Sequence, residues 1–97
     1  MRRIVALPVL ALAAGLLAAP AAFSAGPEFC EDYARDAVRQ FERSREIPYC
    51  EHRAHGPRWS PDYRDHYEWC RSVGHHEANA EREARHEHLE ACRHGYH

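Results

Sequence analysis

Apolar residues recur along this chain in distinct rhythms, and each rhythm predicts a different element. Arg2 and Arg3 precede an unbroken apolar run from Ile4 to Leu17, and small residues follow around Ala19 to Ala25. A charged start, an apolar middle and a small-residue exit form the layout of a secretory signal peptide. Cleavage after Ser24 places Ala22 at the third position before the cut, whereas cleavage after Ala25 would put the bulky Phe23 there. The segment Ala19-Pro20-Ala21 offers an alternative exit. The expected division is a signal peptide over 1–24 and a domain over 25–97. An uncleaved anchor is the competing reading, because Ile4 to Ala22 is nearly long enough to span a bilayer. The small-residue exit favours cleavage, and no Cys stands at the cut to carry a lipid.

Beyond the exit the rhythm changes to three- and four-residue steps. Phe29, Cys30, Tyr33, Ala34, Ala37, Val38 and Phe41 mark one face of an amphipathic helix, with acidic residues in its first turn and Arg43 and Arg45 in its last. Pro48 disfavours helical geometry at Ile47, so the helix should run from Pro27 to near Glu46. Residues 47 to 59, with Pro48, Gly56 and Pro57, read as an irregular connection. Ser60-Pro61-Asp62 opens a second helix, Ser as the cap, and this helix should reach about Arg71. A last helix is expected from Glu77 to Arg93, ended by Gly95. Its apolar stripe is thin and runs through Ala78, Arg85, Leu89 and Cys92, with Glu81 and Arg85 spaced as an i,i+4 ion pair and Glu90 and His94 likewise. A single helix over 61–93 is the alternative, since one interior Gly costs only about 1 kcal/mol.

Composition sharpens this picture. After the signal, Val38, Ile47, Val73 and Leu89 are the only branched aliphatic residues. A domain of this size is already short of buriable surface, so four Cys in an exported chain are expected to form two disulfides. Cys30, Cys50, Cys70 and Cys92 lie about twenty residues apart. Bonding Cys30 to Cys50, or Cys70 to Cys92, would join points separated by most of a helix, ~20 Å or more, whereas bonded Cα atoms lie within ~7 Å. Two pairings remain open. The nested one (30–92, 50–70) makes an antiparallel hairpin and is slightly preferred; the alternating one (30–70, 50–92) makes an up-down-up bundle. Either is an all-α, disulfide-stapled fold.

With so few aliphatics, the stretch WSPDYRDHYEWC at 59 to 70 reads first as core and only second as a ligand platform. The expected core is Phe29, Tyr33, Phe41, Trp59, Tyr63, Tyr67 and Leu89. His66 should sit inside it, oriented by Asp62.

Certain spacings resemble a known kind of module. They are Cys30-x2-Tyr33-Ala34-x2-Ala37-Val38-x-Gln40, Gly56-Pro57-Arg58-Trp59-Ser60, His66-x2-Trp69-Cys70 and Glu81-x3-Arg85-x3-Leu89-x2-Cys92. Together they resemble a small cysteine-containing exported module of proteobacteria, over essentially the whole of 25–97. The resemblance implies a helical, disulfide-linked fold and assigns no catalytic residue.

Charge and histidine content bear on function. Without Arg2 and Arg3, eleven Arg and no Lys face fifteen Asp and Glu, a formal charge of −4. Interspersed acidic charge argues against a nucleic-acid binder, which needs a concentrated basic face. Nine His could reverse that sign in acid and make association pH-dependent. His86, Glu90 and His94 recur at i, i+4 and i+8 on one helical face, a spacing that could hold Zn(II), Cu(II) or Ni(II). A solvated charged face is the plainer reading of the same residues. No thiol-exchange, nucleophile-elbow or phosphate-loop motif is present. The sequence therefore points to a periplasmic or secreted, non-enzymatic module, free of a membrane anchor once cleaved and requiring no cofactor. Its partner would be a protein or envelope component, with Zn or Cu binding through His86, Glu90 and His94 as the alternative.

Overall fold

The structure, a computed structural model, describes residues 24–95. The expected signal peptide lies outside the described residues apart from Ser24, and residues 96 and 97 lie outside them too. The described chain is all-α: α1 (Pro27–Glu46), α2 (Pro48–Glu51), a 3-10 turn (Pro57–Trp59), α3 (Tyr63–Arg71) and α4 (His75–Arg93). Among the described residues there is no strand, and no helix is long and apolar enough to cross a membrane.

Helix α1 has the expected bounds, with Pro27 pre-set for its first turn and the chain leaving helical geometry at Ile47 before Pro48. Its start is pinned where the Ala25 N–H donates to the Val73 carbonyl at 2.8 Å. The expected irregular connection is more ordered than its Pro and Gly content implies. It holds α2 and the 3-10 turn, each opened by a Pro. Arg45, reaching across from α1, donates to the carbonyls of Glu51 at 3.0 Å and Ala54 at 2.7 Å, so the carbonyls that α2 leaves free find a partner. Gly56, at φ +94°, makes the turn into Pro57 in a region closed to most side chains.

The opening of α3 differs from expectation. Ser60 and Asp62 are both extended, and the cap is Asp62, whose carboxylate accepts the Arg64 N–H at 2.9 Å. Ser60 instead accepts the Asp62 N–H at 3.0 Å and donates to Asp65 at 2.8 Å, bracing the turn from outside the helix. A single helix over 61–93 does not form. Ser72 donates to the Trp69 carbonyl at 2.6 Å, Gly74 is extended, and Glu77 accepts the Gly74 N–H at 3.3 Å, so α4 starts afresh at His75. Gly95, at φ +80°, follows its end.

The disulfides are Cys30–Cys70 and Cys50–Cys92, with Cα atoms 5.6 and 5.3 Å apart. This is the alternating pairing, and the slight preference for nesting is corrected. The physical reason is the break at 72–74, which makes α3 a separate reversing element. Cys30 bonds Cys70 and Tyr33 meets His66, so α3 runs antiparallel to α1. Phe29 meets His75, Asp36 meets Arg82, Gln40 meets Arg85 and Cys50 bonds Cys92, so α4 runs parallel to α1.

Each disulfide lies in its own apolar cluster. Cys30 and Cys70 pack with Ala25, Tyr33 and Ala78, flanked by Phe29, Tyr67 and Val73. Cys50 and Cys92 pack with Ala54, Trp59 and Leu89, flanked by Phe41 and Ile47. Of the expected core, Tyr33, Trp59 and Leu89 are buried, and Phe29, Phe41 and Tyr67 are half-buried. Tyr63 is the exception at 39% exposed: it begins α3 and stacks on Tyr67 with ring centroids 6.2 Å apart, outside both clusters.

Candidate functional site

The up-down-up arrangement opens a cleft where α1, α3, α4 and the 3-10 turn meet. Its volume is about 340 Å³. Tyr33 comes from α1, Arg58 from the 3-10 turn, Asp65, His66 and Trp69 from α3, and Glu81 and Arg85 from α4. The Cys30–Cys70 bridge fixes α3 against α1, which holds the rings of Tyr33 and Trp69 with centroids 5.7 Å apart and inclined by 35°. Tyr33 is buried, while Trp69 is 39% exposed at the mouth.

The base of the cleft is a buried cation. Arg85 is 1% exposed, and its guanidinium lies 5.0 Å from the centre of the Tyr33 ring. Its Nε donates to Gln40 Oε1 at 2.7 Å and Nη1 reaches the Arg58 carbonyl at 3.4 Å, while Nη2 is buried without a hydrogen-bond partner. Gln40 is held in that orientation because its own Nε2 donates to the Arg82 carbonyl at 3.1 Å. The expected Glu81–Arg85 pair does not form. Glu81 accepts from Arg58 instead, at 2.6 and 3.0 Å, since the 3-10 turn brings that guanidinium over the α4 surface while Arg85 points inward. Thus, among the described residues, no carboxylate pairs with Arg85.

His66 forms part of the wall and is 4% exposed. Its Nε2 lies 2.8 Å from the Ser60 carbonyl, an acceptor, so Nε2 carries a proton and donates. The carbonyl of Ser60, rather than the expected Asp62 side chain, orients the ring. Burial pushes the imidazole below its ordinary range, the Ser60 bond opposes this, and the Arg85 charge lowers it further, so the ring is neutral near pH 7. Burial likewise pushes the Tyr33 phenol up, with the Arg85 guanidinium partly opposing, and the hydroxyl stays protonated.

The histidines singled out for metal binding lie elsewhere. His86 and His94 are exposed on α4. Glu90 accepts from Arg93 at 2.8 and 2.7 Å, and His94 Nε2 is 3.8 Å from it. Arg93 is the main reason that the Glu90 carboxyl sits below its usual range, with lesser contributions from His86 and His94. The three ligand groups line up along the face but do not converge. Among the described residues, the trio whose ligand atoms lie within 4.8 Å of one another is Cys50, His88 and Cys92, and both of its sulfurs belong to a disulfide. His88 packs on Trp59 at 5.2 Å, and burial pushes its imidazole down.

Arg85 and the cleft were missed from the sequence, although one signal was present: a charged residue on the apolar stripe Ala78, Arg85, Leu89, Cys92. Such a residue is buried with the stripe unless the helix turns it out, and a buried cation demands partners. Comparison of the chain with family models, curated proteins and solved structures gives no match.

Proposed function

We propose that this chain is a non-enzymatic, exported binding module, periplasmic or secreted, whose binding site is the cleft lined by Tyr33, His66, Trp69 and Arg85. One observation carries the reading: a nearly inaccessible guanidinium with an empty Nη2 at the base of a cleft with aromatic walls. Clefts of a few hundred Å³ with apolar walls and few polar groups are where small molecules bind. Two disulfides fit an oxidising compartment, in which such bonds persist. A non-enzymatic role is supported by how the polar groups are committed. His66 is bound to Ser60, Asp65 to Ser60 and Glu81 to Arg58, and the lining holds no Ser, Thr or Cys nucleophile.

The test uses the full chain, expressed with its leader, exported and purified with both disulfides formed. Amide and indole NMR shifts are recorded against a panel of small fragments. Shifts clustered on Tyr33, His66, Trp69 and Arg85 are expected; hits scattered over the surface would sink the reading. A second reading, uptake of Zn(II) or Cu(II) along the α4 face, draws on the approach of Glu90 and His94. Calorimetry on the His86→Ala/His94→Ala variant decides it: one defined site, lost in the variant, is its signature.

A further inference from the structure

We infer that the cleft takes a small monocarboxylate with a flat apolar body, its carboxylate on Arg85 and its body on Trp69 and Tyr33. The inference rests on the cleft being the binding site.

The argument begins with the charge of Arg85. Its fixed partners are neutral, a Gln amide oxygen and a backbone carbonyl. A buried cation without a counter-ion is costly, and the cost falls when an anion pairs with it. The group left without a partner is a guanidinium nitrogen, and the planar guanidinium fork matches carboxylate geometry. Arg85 cannot turn away to find another anion, because Gln40 and the Arg58 carbonyl hold its other two nitrogens.

The surroundings limit how much negative charge can enter. Arg58, the second guanidinium of the lining, is already taken by Glu81. Asp65 adds an anion on the α3 side, and neutral His66 supplies no cation near pH 7. Arg85 is thus the one cation of the lining without a carboxylate partner, while Asp65 and Glu81 set against Arg58 and Arg85 leave the lining formally neutral, which favours a monoanion anchored on Arg85 over a phosphate dianion. The apolar part of the ligand follows from the walls. Tyr33 and Trp69 present ring surface beside the guanidinium, and half-exposed Trp69 leaves the mouth open for a flat group. The volume of about 340 Å³ is at the small end for ligand sites, so one ring is the right scale.

The experiment is a calorimetric titration of the exported, disulfide-bonded full chain at pH 7 with benzoate, benzamide, acetate and phenyl phosphate. Benzoate is expected to bind about tenfold or more tightly than neutral benzamide, since a hydrogen bond to a charged group is at stake. It should also bind more tightly than acetate, which lacks the ring, and than phenyl phosphate, which carries excess charge. Trp69→Ala, at the exposed rim, should weaken benzoate several-fold, and Arg85→Lys should abolish its advantage over benzamide. If Arg85→Lys does not fold, the benzoate–benzamide contrast and Trp69→Ala still decide. Equal binding of benzoate and benzamide in the cleft would overturn the carboxylate anchor while leaving the cleft as a binding site. Tighter binding of phenyl phosphate would overturn the monocarboxylate preference. If none of the four perturbs the Trp69 indole signal, the inference fails. If no panel fragment reaches the cleft either, the binding-module reading fails with it.

Discussion

Replacing either disulfide by alanines should remove a large share of this domain's stability. The bridges span 40 and 42 residues of sequence. Closing a loop of that length in the unfolded chain costs about 4 kcal/mol of entropy in the chain-closure model, a cost the disulfide has already met. Domains are stable by ~0.05–0.15 kcal/mol per residue, so about seventy residues have on the order of 4–10 kcal/mol in total. Cys30→Ala/Cys70→Ala and Cys50→Ala/Cys92→Ala should each lie near the edge of folding, and the quadruple variant beyond it. The two should differ in what loosens. Without Cys30–Cys70, α3 keeps the ring contacts of Tyr33 with His66 and Trp69 and the Ala25–Val73 bond, but the cleft wall slackens. Without Cys50–Cys92, α2 and the last turn of α4 depend on the packing of Ala54, Trp59 and Leu89 and on the bonds from Arg45. The assay is urea unfolding followed by far-UV circular dichroism, beside non-reducing digestion and mass mapping of the wild type. Midpoints unchanged in both double variants, or mapped bridges of 30–92 and 50–70, would refute the reasoning.

Three further outcomes are expected. Burial lowers the pKa of His66 and His88 from 6.5 in the folded state, so the unfolded chain takes up protons first; their contribution is full above about pH 6.5 and is lost as the pH falls through the folded-state values. Thermal melts from pH 7.5 to 5 should show the loss, and His66→Phe should flatten it; an unchanged profile in that variant would remove His66 as the cause. Asp62→Ala, which deletes the α3 cap, should cost about 1 kcal/mol in urea unfolding, more than Ser60→Ala, whose hydroxyl braces the turn from outside the helix. Leu89→Ala should cost about 2–5 kcal/mol, because Leu89 is buried beside Trp59 and a cystine and little aliphatic mass is available to refill the space; a loss below about 1 kcal/mol would place Leu89 outside the core.

What could be read from the sequence was whatever depends on local spacing. The bounds of α1 follow from Pro27, Pro48 and a regular apolar face, and the helical class follows from that periodicity together with the paired Cys. Decisions that depend on distant parts of the chain were less legible. Ser60 and Asp62 are both good caps, and only the extended path through Pro61 decides between them. The disulfide pairing turned on whether Gly74 interrupts one helix or separates two, a difference of about 1 kcal/mol in local terms. Glu81 and Arg85 have the spacing of an ion pair, yet tertiary packing turned one outward to Arg58 and the other inward to Gln40. The cleft was invisible because its residues come from four separate elements; the one trace was a charge on an apolar stripe.

The interleaving of the two bridges has a consequence for survival among proteases. Every peptide bond between Cys30 and Cys92 lies inside at least one covalent ring, and those between Cys50 and Cys70 lie inside both. The connection over 51–58, exposed except at Ala54 and carrying arginines at 53 and 58, is the natural place for a trypsin-like enzyme to cut once it opens locally. A single cut there releases no fragment: the halves stay tied by both cystines, with α1 and α3 on opposite sides of the nick still joined at Cys30 and Cys70. The chain is thus built to be nicked without being dismantled, and a reducing gel, not a native one, would be needed to see the damage.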